Sequence, residues 1–138
     1  MMRVEFTIPS VTPSLNTWQR MNRYQKPKVR RMFAWECRAF RPVSWPVTPP
    51  PFVRVSITRC GKKLLDADNL TGGVKPCLDA LKDAGFIADD SPAHIALDVA
   101  QVLTKAQPHM RIRLEIDHPS SPAFDRYLHR VASGQTAG

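Results

Sequence analysis

The sequence predicts an α+β fold: a small single domain with a mixed four-stranded sheet and two main helices. Three observations carry that expectation. Residues 2–8 and 110–116 alternate apolar and polar side chains with a period of two, as half-buried strands do. Residues 29–40 and 74–81 instead repeat their apolar side chains at helical spacing. A chain of 138 residues is the size of one ordinary domain, long enough for a core without disulfide or metal staples.

Taken in order, the first strand sets Met2, Val4, Phe6 and Ile8 on one side and Arg3, Glu5 and Thr7 on the other, and Pro9 and Pro13 end it. Residues 14–28 are polar, basic and aromatic without a clean period, so they are expected to be a loop with at most a helical turn. From Val29 the spacing of Met32, Phe33, Cys37 and Phe40 gives a helix with one apolar stripe, and Arg30, Arg31, Arg38 and Arg41 are expected to lie away from it. Residues 42–52 (PVSWPVTPPPF) are a proline-dense, extended connector. A second strand follows at 53–59 through Val53, Val55 and Ile57, and Gly61, Lys62 and Lys63 make a basic turn.

A second helix is expected over 72–84, with Val74, Cys77, Leu78 and Leu81 on one face, Pro76 in the first turn and Gly85 as the stop. Ile95, Leu97, Val99 and Leu103 give a third strand, although a helix also fits that segment; Met110, Ile112, Leu114 and Ile116 give the fourth. The domain is expected to span 1–118. Residues 119–138 form a C-terminal extension with a short helix over 124–131 and a loose tail.

Charge and composition narrow the partners. The formal net charge is +8, and residues 20–41 carry eight Lys/Arg against Glu36 alone. That imbalance exceeds what i,i+4 pairing on a solvated helix needs, and it suits a phosphate-bearing partner. Cys37, Cys60 and Cys77 are odd in number and far apart, and no CxxC or His-x-x-x-His spacing exists. Buried reduced thiols are expected, not a zinc site or a disulfide framework. No stretch approaches the roughly 20 apolar residues of a membrane span, and the first ten residues alternate instead of forming a signal-peptide core. A cytoplasmic protein with no membrane partner and no organic cofactor is expected.

Against this basic background, six of the twelve acidic residues fall between 66 and 90. LDADN (65–69) sets Asp66 and Asp68 two apart. In an extended segment such side chains share a face, and two carboxylates there disfavour each other's ionisation unless a cation intervenes. Such pairs suit Mg²⁺ or Mn²⁺. An EF-hand is excluded, because its sixth and twelfth positions would be Thr71 and Cys77. Turn formation and helix capping by Asp66, Asp68 and Asn69 is the competing explanation. For Lys75 it is a solvated helix pair with Asp79 at i+4.

The phrase DADNLTGGVKPCLDALKDAGFIADD resembles the signature of the RusA family of Holliday-junction resolvases, bacterial and phage endonucleases. Its elements stand here as Asp66-Ala67-Asp68-Asn69-Leu70, then Lys75 followed by Asp79-Ala80-Leu81, then Ala84-Gly85-Phe86, then Asp89-Asp90. Pro13, Ser14 and Asn16 resemble the family's Pro-Ser-x-Asn entry. TGG (71–73) lengthens the link between Asn69 and Lys75 relative to the compact motif, and Leu64 and Leu65 interrupt the basic run before Asp66.

The resemblance implies a RusA-like α/β domain acting as a homodimer on branched double-stranded DNA in recombination or repair. It places the metal-binding carboxylates on Asp66, Asp68 and Asp90 and the functional lysine on Lys75, with Mg²⁺ (or Mn²⁺) as cofactor. Asn69 and Asp89 are expected to support those residues. Arg30, Arg31, Arg38, Arg41, Lys62 and Lys63 are the candidates for DNA contact, because an acidic metal cradle repels DNA unless surrounding cations hold it. A non-catalytic basic DNA-binding module, or a nuclease preferring flaps or forks, are the alternatives.

Overall fold

The computed structural model describes residues 2–116, and within them the alternation seen in the sequence becomes one mixed sheet. The elements run β1 (Met2–Ile8), α1 (Leu15–Arg20), α2 (Gln25–Arg38), β2 (Val53–Gly61), α3 (Ala67–Gly72), α4 (Lys75–Asp83), β3 (Ile95–Leu103) and β4 (His109–Ile116). The strand order is β1-β4-β2-β3. β4 pairs antiparallel with both β1 and β2, whereas β2 and β3 are parallel. Parallel neighbours need a crossover, and α3 and α4 supply it.

The inward positions of the strands meet the apolar faces of α2 and α4. Ile8, Val53, Ile57, Met110, Ile112 and Leu114 from the sheet are buried together with Phe33, Cys37, Cys77, Leu81 and Phe86. Arg3, Thr7, Arg54 and Arg111 at alternate positions stay exposed. Ile95 is buried, but Leu97 and Leu103 are exposed, because β3 is a sheet edge with one neighbour only. All three cysteines are free and buried. Among the described residues, no helix is long and apolar enough to cross a membrane. The extension expected after 118, with its helix over 124–131, lies outside the described residues.

Several local expectations are corrected. Residues 14–28 hold a formed helix, α1, and the first turns of α2; Ser14 caps α1 by accepting from the Thr17 N–H. Sequence periodicity missed α1 because none of its residues is buried. On α2 the buried side chains are Phe33, Ala34 and Cys37, while Met32 is 45% exposed. Arg30 falls inside that inward sector: its guanidinium donates to both carboxylate oxygens of Asp83, at 2.6 and 2.8 Å, tying α2 to the end of α4. Each partner fixes the other's charge, with Arg30 pushed up and Asp83 pushed down by their shared hydrogen bonds.

The connector 42–52 is not merely a spacer. Trp45 is 1% exposed, donates its Nε1–H to the Phe86 carbonyl at 3.2 Å and meets the Phe86 ring edge-on. The helix expected over 72–84 is present as α4 over Lys75–Asp83, and a separate short helix that the spacing did not show, α3, ends just before it at Gly72. Pro76 does sit in the first turn of α4. Gly85 does stop α4, at φ 81°. The Gly85 N–H reaches the Lys82 carbonyl and the Phe86 N–H the Leu81 carbonyl, the paired bonds of a Schellman stop that only a left-handed residue permits without strain.

Candidate active site

The length of α4 decides where the end of the acidic phrase falls. Nine helical residues rise about 13 Å, and the five residues 86–90 span at most about 17 Å when extended. After the Gly85 reversal, that return segment carries Asp90 back to the first turn of α4. There the Lys75 ammonium donates to Asp90 Oδ2 at 2.6 Å and lies 3.2 Å from Asp79 Oδ1. Both readings of Lys75 therefore describe the same side chain: it makes the i+4 pair and also reaches the end of the motif. The Asp90 hydrogen bond, aided by Asp79, raises the Lys75 pKa, so this group is a standing cation at neutral pH and not a base. Asp89 points elsewhere, accepting from Lys82 Nζ at 3.2 Å. That bond holds its carboxyl down at about 2.

At the other end, Asp66 and Asp68 do not lie on an extended segment. Asp66 is the N-cap of α3, accepting from the Asn69 N–H at 2.9 Å and from Asn69 Nδ2 at 2.9 Å, and Asp68 is in the first helical turn. The physical reason is the favourable pairing of an acidic cap with unsatisfied amides and the positive end of the helix dipole. Those donors hold the Asp66 carboxyl below the usual carboxylate range. Both aspartates are exposed and Asp90 is half-buried. Among the described residues, no three His, Cys, Asp or Glu side chains are gathered closely enough to hold a metal ion. The capping role assigned to Asp66 and Asn69 as the alternative is thus present.

Three interactions fix where this cap stands. Asn69 Oδ1 accepts from the Asn16 N–H at 3.0 Å, so the PSLN and DADN segments, 53 residues apart, form one unit. Gly72 and Gly73 let them approach: a Cβ on Gly73 would stand 1.9 Å from the Pro13 carbonyl oxygen, and one on Gly72 would stand 2.7 Å from Leu15 Cδ2. Gly72 and Gly73 of the TGG stretch are therefore the floor on which the PSLN segment rests. Gln101 on β3 exchanges two bonds with the Leu65 backbone, at 2.9 and 2.7 Å, fixing the residue before Asp66. Arg59 on β2 donates to the Thr12 carbonyl at 3.1 Å and the Lys63 carbonyl at 3.3 Å, holding both flanking loops.

Sequence reading missed Arg59 and Gln101. The available signal was their register: Arg59 continues the inward series Val53, Val55, Ile57, and Gln101 continues Ile95, Leu97, Val99. A polar side chain on the apolar register at a strand's end marks where the sheet turns from core to scaffold for a loop.

The cations named for DNA contact divide into two groups. Arg31, Arg38, Lys62 and Lys63 are exposed. Arg30 is committed to Asp83, and Arg41 donates to the Pro46 carbonyl at 2.7 Å, so both also serve the fold.

No protein-family model and no curated protein matches the chain. Among solved structures, it is similar at a TM-score of 0.41 and 11% identity to CetZ2 from Haloferax volcanii, described as a GTPγS-bound protofilament. The alignment covers 97% of this chain and 35% of that one. A likeness that weak transfers neither fold nor function.

Proposed function

We propose that this chain is a metal-dependent, structure-selective endodeoxyribonuclease of the RusA type, nicking four-way junctions or related branched DNA in recombination or repair. The observation that carries the reading is the Lys75–Asp90 contact at 2.6 Å. Two residues that the motif pairs across fifteen positions meet at one end of α4, beside the segment that leads from Asp66 and Asp68.

The donor set suits a hard divalent cation, since Asp66, Asp68 and Asp90 offer carboxylate oxygens and no thiolate or imidazole. The three are not gathered around one point in this structure, so they would have to draw together to hold Mg²⁺ or Mn²⁺, which when bound would supply charge stabilisation to the attacking and leaving oxygens of a phosphodiester. The chain's own residues contribute the remaining parts. Lys75, kept protonated by its two carboxylates, binds the scissile phosphate and steadies the charge that develops on it. Asn69 and Gln101 orient the start of α3. Arg31, Arg38, Lys62 and Lys63 supply the attraction to the DNA backbone that the acidic centre opposes. A homodimer would present two such sites to two like strands, giving paired nicks.

The test is cleavage of a synthetic four-way junction, a flap and a fork in Mg²⁺ or Mn²⁺. The reading expects metal-dependent nicking that Asp68→Asn abolishes while junction binding persists. Cleavage of flaps or forks in preference to junctions would change the substrate and keep the chemistry. Binding by the wild-type chain without any metal-dependent cleavage would show a non-catalytic DNA-binding module and refute the proposal.

A further inference from the structure

The exposed face of α2 carries large aromatic side chains that neither the core nor the acidic site uses. Trp35 is 77% exposed and Tyr24, at the N-cap, is 67% exposed. At about 100° per residue, Tyr24, Lys28, Arg31, Trp35 and Arg38 all fall within about 80° of arc on one side of the helix. All five are exposed. The opposite side holds Phe33, Cys37 and the Arg30–Asp83 pair.

That arc contains no acidic residue. Glu36, the one acid on α2, faces away and accepts from Ser10 at 2.7 Å. Among the described residues, neither Lys28 nor Arg31 has an ion-pair partner, and Arg38 contacts the Asp83 carbonyl at 3.4 Å, its charge also acting on the Asp83 carboxylate. The first turn of α2 also has no acid, so Lys26 and Lys28 stand at the positive end of the dipole, an arrangement that an anion relieves. A surface so charged repels a second copy of itself, whereas a polyanion complements it. Its two aromatic members, Tyr24 and Trp35, lie about three turns apart with cations between them, and exposed aromatic faces beside cations let bases stack while their phosphates are neutralised.

We infer that this face of α2 binds unpaired nucleic acid, with Trp35 stacking on a base and Lys28, Arg31 and Arg38 taking the flanking phosphates. The inference shares the nucleic-acid partner with the proposed function and does not depend on cleavage.

The experiment measures polarisation of fluorescein-labelled oligo(dT) and of a matched duplex, in EDTA so that no cleavage intervenes. Junction nicking in Mg²⁺ is followed in parallel. Trp35→Ala should weaken oligo(dT) binding about tenfold or more and duplex binding little, because stacking needs an open base face. Trp35→Phe should restore most of the loss, and Arg31→Glu should weaken both ligands and flatten the salt dependence. Since Trp35 is largely exposed, thermal midpoints should stay unchanged.

Equal oligo(dT) affinity for wild type and Trp35→Ala overturns the inference even where junction nicking is intact. Trp35-dependent oligo(dT) binding without any nicking upholds it and removes the nuclease reading. Sedimentation distinguishes the remaining case: a wild-type dimer that Trp35→Ala converts to a monomer of unaltered affinity makes the face an interface between copies and also overturns it.

Discussion

Gly73→Ala separates local backbone preference from tertiary contact, because the two predict opposite signs. Gly73 has φ −73° and ψ −11°, an ordinary right-handed helical conformation that alanine adopts freely. On local grounds alone, replacing glycine there should stabilise by about 0.5–1 kcal/mol. The tertiary contact argues otherwise. The added Cβ would stand 1.9 Å from the Pro13 carbonyl oxygen and 3.1 Å from its carbon, and both atoms belong to backbone. The Pro13 peptide must withdraw by more than an ångström to reach van der Waals distance. Thr12 on one side is held by Arg59, and Asn16 on the other by Asn69, so the segment cannot pivot freely.

Overpacking of this kind costs about 1–3 kcal/mol and outweighs the local gain. In a domain of this size that corresponds to a Tm lower by roughly 3–10 °C. Gly72→Ala provides the contrast, since the atoms nearest its Cβ all belong to the Leu15 side chain, whose rotamer can change. Urea denaturation of the two variants and the wild type, with matched m-values, gives the comparison. Gly73→Ala equal to or more stable than the wild type, or no less stable than Gly72→Ala, would refute the claim that the PSLN segment is seated on the TGG floor.

Two further predictions concern the acidic residues. Asp66→Asn should keep the α3 cap and the thermal midpoint while abolishing junction cleavage, because asparagine caps as well as aspartate but carries no charge. Asp66→Ala should lower the midpoint as well, and unimpaired cleavage by Asp66→Asn would remove the charge from the proposed site. For Asp89, the Lys82 hydrogen bond sets the folded pKa at about 2, below the unfolded value of about 3.9. A depressed carboxyl contributes its stability above the unfolded pKa and loses it as the pH falls through the folded one, so the loss belongs to the window from about pH 4 down to about 2. A ¹³C titration should find the Asp89 midpoint there and find it raised in Lys82→Ala; an unchanged midpoint in that variant would assign the depression to another group.

Much of the fold was legible in the sequence for a simple reason. A residue's inward or outward place on a strand is set by a period of two, and β1 and β4 keep that period throughout, while β2 keeps it as far as Ile57. The stop of α4 was equally legible, since glycine at 85 supplies a conformation the neighbouring residues avoid. Where periodicity was absent or shared, the reading slipped. Helix α1 buries no residue and so shows no stripe. Trp45 enters the core from a proline-dense connector whose composition speaks only of extension. Asp66 and Asp68 fit an extended pair and a helix start equally well by spacing, and what decided between them was the Asn69 amide and side chain in place to receive a cap.

By itself, then, the sequence determined the class of fold, the inward faces of its strands and helices, and the chemical content of the acidic phrase, all of which are local properties of residue type and spacing. Only the tertiary structure decided which charges meet. That Lys75 pairs with Asp90, that Arg30 is spent on Asp83, and that Asn16 reaches Asn69 are contacts across 15 to 53 positions. Each depends on where a chain reversal brings the backbone, and no periodicity along the chain encodes the distance between two side chains once it has turned.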